Sequence, residues 1–271
     1  MTAAETQSLG ERIAQREWYH TIELAPGVET RGYFDLREVA LQVLPVSLKG
    51  ARCLDVATFD GFWALEMLKR GAEEVVGIDI LDPRRWDWPA GSDDRVLAAV
   101  GERKGAGEGF EIVMDALGHH VDRHEQSVYE LDPADIGRFD FVYVGSLLLH
   151  LREPVRAIEA VRSVCRDRAL FVDAIDPVLT RLHPRRPVAS FDGLGRPWWW
   201  KPNLKAIERM VRSGGFEIIG RPQRVKMMPG EGFPPIKPGI SVLRSQQSRA
   251  ELRIGLRGDP HVAINARPRI P

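Results

Sequence analysis

The sequence is poor in cysteine, has no net charge and has no long apolar run. Two cysteines, Cys53 and Cys165, occur in 271 residues; their number and spacing fit neither a disulfide framework nor a zinc site. Lysine plus arginine and aspartate plus glutamate both number 38, so no global basic field is present to attract a phosphate backbone. The neutral charge therefore argues against nucleic acid as a partner, although it does not exclude a local basic patch on the surface.

The apolar segments are too short for a membrane. No run of about 18 apolar residues occurs, so the sequence predicts no membrane span. The segment Met1–Trp18 carries three glutamates and two arginines without an apolar core, so we predict no signal peptide and a cytoplasmic protein. With 44% hydrophobic residues the chain can bury a full core, which suits one large domain with additions.

The most informative stretch is Ala51–Leu65. Its apolar run Cys53–Ala57 predicts a buried strand, a turn follows at Thr58–Gly61, and helical spacing comes next. A strand entering a helix through a glycine turn presents backbone N–H groups to a ligand. A second buried strand, Glu74–Ile80, ends in Asp79, at roughly the spacing that places a carboxylate against a ribose.

The turn resembles motif I of the class I S-adenosylmethionine-dependent methyltransferases, an acid and a hydrophobe followed by Gly-x-x-x-Gly. Here it reads Asp55-Val-Ala-Thr-Phe-Asp-Gly61. Ala57 replaces the first glycine and costs only a methyl group if its φ is negative, so we interpret it as a variant. The resemblance implies S-adenosyl-L-methionine as cofactor, held by these residues: Asp55, Ala57, Thr58, Phe59, Gly61, Asp79, Ile80, Ser127, Val128 and Gly145.

The same resemblance implies an α/β fold, a Rossmann-like seven-stranded mostly parallel sheet. Strands are expected at 121–127 (an edge strand), 139–145 and 168–174, with helices at 110–117 and 155–165; this alternation predicts parallel strands and right-handed crossovers. A helix with Pro202 in its first turn should lead to strand six, beginning at Phe216, and an antiparallel strand seven near His261–Ala266.

Two additions to this core are predicted. Residues 1–48 form an N-terminal arm over the active site, with a helix, a turn at Ala25–Gly27 and a second helix capped by Asp35; residues 49–271 form the methyltransferase domain. Residues 81–109 form a long, irregular insertion after strand two.

Within class I, the sequence resembles the tRNA wobble-uridine carboxymethyl/methoxy-methyltransferase-like family, most tellingly at Gly145-Ser-Leu-Leu-Leu-His-Leu-Arg-Glu-Pro154. Carboxymethyl-transferring members have a Tyr-His pair where this chain has Leu149-His150. The missing tyrosine favours plain S-adenosylmethionine over a carboxylated cofactor. The neutral net charge and the aromatic candidates for the pocket argue against tRNA as well, so we expect a small aromatic or heterocyclic substrate of secondary metabolism.

Candidate catalytic and substrate residues cluster near the carboxyl ends of the predicted strands and in the arm. A base is needed only if the acceptor carries a proton, and histidine titrates near neutral pH. The candidates for catalysis are His20, Tyr33 and His150. Those for substrate binding, by stacking or cation–π contact, are Tyr19, Trp88, Ser146, Trp198, Trp199 and Trp200. The alternative for the aromatic residues is plain packing, and for His150 a structural role.

Other functions stay open. A basic face at Arg181, Arg185, Arg186, Lys201 and Lys205 would fit a tRNA-modifying transferase, and Ala57 would fit a non-catalytic cofactor-binding protein. His119, His120 and His124 lack an acidic or cysteine partner at ligand spacing, so no metal is predicted. The acceptor atom and the oligomeric state are left open.

Overall fold

The computed structural model describes residues 3–90, 92, 94–104, 107–193, 198–235 and 246–269. Its helices are α1 Ala3–Ala14, α2 Arg37–Val43, α3 Phe62–Lys69, α4 Asp94–Lys104, α5 Glu108–Leu117, α6 Pro133–Ile136, α7 Pro154–Val164, α8 Pro177–Leu182, α9 Leu204–Ser213 and α10 Gln246–Arg257. Its strands are β1 Trp18–His20, β2 Glu23–Ala25, β3 Val28–Glu29, β4 Gly32–Asp35, β5 Arg52–Val56, β6 Glu74–Asp79, β7 Asp122–Glu125, β8 Phe139–Gly145, β9 Cys165–Ala174, β10 Ala189–Phe191, β11 Trp200–Pro202, β12 Phe216–Ile218, β13 Gln223–Pro229 and β14 Asp259–Pro268.

The main sheet has the strand order β1-β4-β13-β14-β9-β8-β5-β6-β7. From β7 to β9 the strands are parallel, and β14 is antiparallel to both β9 and β13. The strands from β13 to β7 number seven, as predicted, but strand six differs from its prediction. The segment that begins at Phe216 is the short β12, and both it and β13, which was not predicted, pair with β14. Within the described residues the sheet has ten strands, because β1 and β4 extend it and β12 pairs with the far end of β14.

The core lies on both faces of the sheet. Alternate residues of β5 and its neighbours face two clusters: Cys53, Phe141 and Leu170 belong to one, whereas Leu54 and Val142 belong to the other. Strands buried on both faces read as continuous apolar runs, which is why the central strands are visible in the sequence.

The N-terminal arm is built into the sheet. β4 pairs with β1 in parallel and with β13 in antiparallel register, and β2 and β3 form a hairpin around the predicted turn at Ala25–Gly27. The cap predicted for the second helix is wrong: α2 begins after Leu36, and Asp35 ends β4 while its carboxylate accepts from the Arg37 amide.

Two other local predictions need correction. The insertion after β6 is not wholly irregular, because it contains α4 and the start of α5. The last helix before strand six begins at Leu204, and the side chain of Asn203 caps it by accepting from the Ala206 amide; Pro202 ends β11 instead. In the described parts of the chain, no helix combines the length and apolarity needed to cross a membrane.

Candidate functional site

The turn between β5 and α3 is held by two carboxylates. Asp55 Oδ2 accepts from Thr58 Oγ1 at 2.7 Å and from the Ala64 amide at 3.0 Å, tying the turn to the start of α3. Asp79 Oδ2, at the end of β6, accepts from the Phe59 amide at 2.7 Å. The carboxyl ends of β5 and β6 therefore share one hydrogen-bonded turn.

The backbone of this turn corrects our interpretation of Ala57. Its φ is 61°, and Phe59 and Gly61 also have positive φ, at 53° and 84°. Ala57 thus adopts a left-handed conformation, which costs roughly 1–2 kcal/mol for a residue with a Cβ. The turn has the shape that a glycine would favour, and the surrounding hydrogen bonds impose it on an alanine.

Two buried oxygens beside the turn have no hydrogen-bond partner in the described residues: Asp55 Oδ1 and the Tyr143 hydroxyl. The two residues are register partners on β5 and β8, so their side chains leave the same face of the sheet. Loss of solvation raises the pKa of Asp55 to about 7 and raises that of Tyr143 as well. Buried polar groups are seldom left unsatisfied, so this pair marks a place for a polar ligand group.

Gly145 explains how the hydroxyl of Tyr143 is accommodated. A Cβ added to Gly145 would lie 2.3 Å from that oxygen, so only glycine fits at the end of β8. The ring of Tyr143 stacks on Trp63 with centroids 4.1 Å apart. The three atoms nearest to an added Cβ at Gly145 all belong to Tyr143.

Lys104, a residue that the sequence analysis missed, contacts Asp79. It ends α4 in the insertion, its side chain is 0% exposed, and its ammonium forms an ion pair with Asp79 Oδ2. The same nitrogen lies 4.4 Å from the centroid of the Phe59 ring. Burial lowers the pKa of Lys104. The acid predicted to bind a ribose is thus already paired with a lysine.

His20 joins the arm to the turn. Its Nδ1 forms a short contact with Asp60 Oδ1, its amide donates to Asp60 Oδ2 at 2.9 Å, and its ring stacks on Phe62. Tyr19 packs against His20, Phe59 and Tyr33. Three predicted site residues, Tyr19, His20 and Tyr33, therefore lie together beside the turn, and His20 is buried with its Nδ1 already bonded.

The tryptophans bridge the insertion and the turn after β8. Trp199 Nε1 donates to the carbonyl of Asp87 and its amide to that of Leu149, while Trp200 Nε1 donates to that of Arg152. Trp88 Nε1 donates to the carbonyl of Pro83. These contacts show an anchoring role for Trp88, Trp199 and Trp200; substrate contact by them, or by Trp198, stays a prediction.

The other predicted residues lie along the same edge of the sheet. The Ile80 amide donates to Asp79 Oδ1 at 2.8 Å, and Ser127 caps a 3₁₀ turn that contains the buried Val128. His150 ends a 3₁₀ turn after β8 and is half-buried. Ser146 follows Gly145 directly and has a φ of 48°.

The fold of this chain, with β14 as the single reversed strand of its seven-stranded core, is similar to that of several solved structures. The chain is similar to the [4+2]-cyclase SpnF, with 17% identity, a TM-score of 0.55 and coverage of 98% of this chain and 94% of that one. It is also similar to the N-terminal domain of EvdMO1 with S-adenosylhomocysteine bound (15% identity, TM-score 0.52, coverage of 99% and 98%). The chain has the class I methyltransferase fold.

At these identities the similarity establishes the fold alone. A scan of the sequence against protein-family profiles gives no match, and a search among curated proteins gives none either. The narrower resemblance to the tRNA wobble-uridine branch finds no support in these comparisons. Among the described residues, no group of three or more His, Cys, Asp or Glu side chains is placed to hold a metal ion.

Proposed function

We propose that the protein is an S-adenosylmethionine-dependent methyltransferase that acts on a small molecule. The observation that carries the proposal is the pair of unsatisfied buried oxygens, Asp55 Oδ1 and the Tyr143 hydroxyl, at the carboxyl ends of β5 and β8. Ligands of open α/β sheets bind at that edge. An ammonium group, such as that of the methionine portion of the cofactor, would supply the missing donors.

The remaining residues fit the rest of the cofactor. Asp79 would accept the ribose hydroxyls, and Ile80 and Val128 would flank the adenine. The Ala57–Gly61 turn would cover the sulfonium side. When bound, the cofactor supplies an electrophilic methyl group; the protein orients the acceptor against it and excludes water.

A small acceptor agrees with two features of the chain. The formal net charge is zero, which gives no global attraction to a polyanion. Trp199 and Trp200 are the candidates for contact with a large substrate. Their indole nitrogens already donate hydrogen bonds to the carbonyls of Asp87 and Arg152. An aromatic or heterocyclic acceptor of secondary metabolism stays part of the proposal.

A second candidate is a protein of this fold that binds the cofactor without transferring its methyl group. The burial of His20 favours it, because Nδ1 of this first candidate base already contacts Asp60 and is not available to an acceptor. The similarity to SpnF, a protein named for a cyclase activity, shows only that the fold is shared.

The test is calorimetric titration of the protein with S-adenosylmethionine, its carboxylated analogue and S-adenosylhomocysteine. We expect the plain cofactor to bind, and Asp79→Asn to weaken its binding about tenfold or more. Asp122→Asn, on the edge strand β7, is the matched control. No binding of any of the three compounds would refute the proposal. Preference for the carboxylated analogue would revive the tRNA alternative, and binding without turnover on any acceptor would favour the second candidate.

A further inference from the structure

The turn after β8 holds Ser146 in an unusual conformation. Its φ of 48° is left-handed, and its amide donates to the carbonyl of Val172 at 2.8 Å. Non-glycine residues held in such conformations concentrate at functional sites, because the surrounding structure must impose them. Here the conformation brings Ser146 Oγ to 3.2 Å from Nε2 of His261, on the distant strand β14.

The hydrogen bonds of His261 define its tautomer. The residue is 2% exposed, and its Nδ1 lies 3.1 Å from the carbonyl oxygen of Asp259 and 3.8 Å from the Asp259 carboxylate. A carbonyl oxygen can only accept, so Nδ1 carries a proton, and in the neutral imidazole Nε2 is then an acceptor. The Ser146 hydroxyl also lies 3.5 Å from the Met227 sulfur, a weaker acceptor than the imidazole.

An acid, a histidine and a serine in this order pass a proton from the serine to the histidine. In an acyl-transfer enzyme, such a serine is the nucleophile and nearby backbone amides stabilise an oxyanion. Here the amides of Leu147 and Leu148 donate to Asp173 Oδ2 at 3.0 and 2.7 Å. Because those donors are occupied, the arrangement suits proton acceptance better than nucleophilic attack.

A groove of about 1500 Å³ passes His261, which forms part of its wall together with residues of α2, α8 and β13. Three exposed cations line it: Arg181, Arg224 and Lys226. A fourth, Arg37, is paired with Asp35 and Glu29, and Glu38 is the other acid of the lining. The unneutralised charge of the groove is positive, which favours an anionic ligand.

We propose that this groove binds the methyl acceptor as an anion, and that Ser146 and His261 take up the proton that the acceptor loses. The inference rests on the proposed function and names its substrate class and proton path. The acceptor's X–H bond breaks as X bonds to the methyl carbon, and the carbon–sulfur bond of the sulfonium leaves its electrons on sulfur. Ser146 is not part of the groove wall, so the acceptor must extend past His261 to reach it. Its proton then passes through Ser146 Oγ to Nε2 of His261, and Asp259 stabilises the imidazolium.

The proton path is tested by the tautomer of His261. Long-range ¹H–¹⁵N spectra of histidine-labelled protein at pH 8.5 report the protonation of both ring nitrogens, with His261→Gln and His124→Gln giving the assignments. We expect a proton on Nδ1 only, and a change at Nε2 in Ser146→Ala that leaves the half-buried His124 unaffected. A proton on Nε2, alone or with one on Nδ1, would overturn the relay.

The acceptor class is tested with probes that differ in one charge. 4-Hydroxybenzoate and 4-hydroxybenzamide are titrated into the protein saturated with S-adenosylhomocysteine, and backbone amide shifts are followed. We expect the carboxylate to bind at least tenfold more tightly, and the double variant Arg181→Gln/Arg224→Gln to remove that preference. Arg209→Gln, an exposed arginine of α9 outside the groove, should keep it.

The two proposals fail in different ways. Equal affinity for the two probes, or no binding of either, overturns the anionic groove while S-adenosylhomocysteine still binds. If S-adenosylhomocysteine itself does not bind, the proposed function fails. The tautomer measurement needs no ligand, so it tests the relay in either case.

Discussion

Ala57 shows how a single side chain can oppose the conformation of a binding turn. Its φ of 61° lies in the left-handed region, which is unfavourable for a residue that has a Cβ. We predict that Ala57→Gly raises the free energy of unfolding by about 1 kcal/mol, the relieved strain exceeding the greater chain entropy of glycine. Urea denaturation measures it. Ala157→Gly, inside α7, should instead destabilise by a similar amount, and a destabilised Ala57→Gly would contradict the strain.

Asp55 couples the site to pH. Its pKa is raised to about 7 by desolvation, so the free protein holds a proton there at pH 6. A bound ammonium would favour the carboxylate, hence cofactor binding should release a proton and tighten about tenfold between pH 6 and pH 8. Calorimetric titration in buffers of different ionisation enthalpy measures the number of protons released when the cofactor binds. In Asp55→Asn the release should vanish, whereas Asp122→Asn should retain it; unchanged release in Asp55→Asn would refute the assignment.

The raised pKa of Asp55 also makes the stability of the fold depend on pH. In the unfolded chain Asp55 has its ordinary pKa of 3.8, so between that pH and about 7 the native state binds more protons. The stabilisation from this residue is full below the unfolded pKa and is lost as pH rises through the folded one.

At the scale of elements, α4 closes the ribose side of the site through Lys104. If the lysine must leave Asp79 before a ribose can bind, Lys104→Met should tighten binding of S-adenosylhomocysteine about tenfold, or about 1.4 kcal/mol. Lys205→Met, which removes an ion pair with Glu208 on α9, is the control. Weaker binding in Lys104→Met would mean that the lysine stays and supports the bound cofactor.

The arm depends on a close crossing of β1 and β4. A Cβ on Gly32 would lie 2.1 Å from the Thr21 amide nitrogen and 2.2 Å from the carbonyl carbon of His20. Gly32→Ala should therefore lower the free energy of unfolding by about 3 kcal/mol, the cost of severe overpacking. It should also make the arm sensitive to limited proteolysis.

A second glycine supplies the control for that variant. Gly10 lies in α1 with nothing within 4 Å of an added Cβ, so Gly10→Ala should stabilise by about 0.5–1 kcal/mol. Equal effects of the two variants would show that the crossing at Gly32 is not tight.

The elements that the sequence predicted well are those with continuous apolar runs. β5, β6 and β8 are buried on both faces and have adjacent turn residues, so their strand character is visible locally. α4 was missed because it is a charged surface helix among glycines, with few apolar positions to show a period. The start of α9 was misjudged because Pro202 and Asn203 are both typical of a helix start, and the tertiary pairing of β11 decided between them.

At the scale of the whole molecule, the candidate site was predictable only in part. Asp55 and Asp79 follow apolar runs, and these runs indicate that the two acids lie near the carboxyl ends of buried strands. Asp173 follows the apolar run of β9 in the same manner, so it could also have been recognised. Lys104 and His261 could not, because their contacts with Asp79 and Ser146 join distant segments. The φ of Ala57 likewise depends on hydrogen bonds from β6 and α3 rather than on its neighbours in sequence.

The pairing of β4 with Met228 and Pro229 of β13 has a consequence for how the protein is made. The arm is translated before its sheet partner β13, with most strands of the sheet between them in the chain, and contacts between such distant segments form slowly. Until β13 has been made, β1 and β4, which carry Tyr19, His20 and Tyr33, lack the strand that joins them to the rest of the sheet. The docking of the arm must therefore wait until most strands of the core have been synthesised.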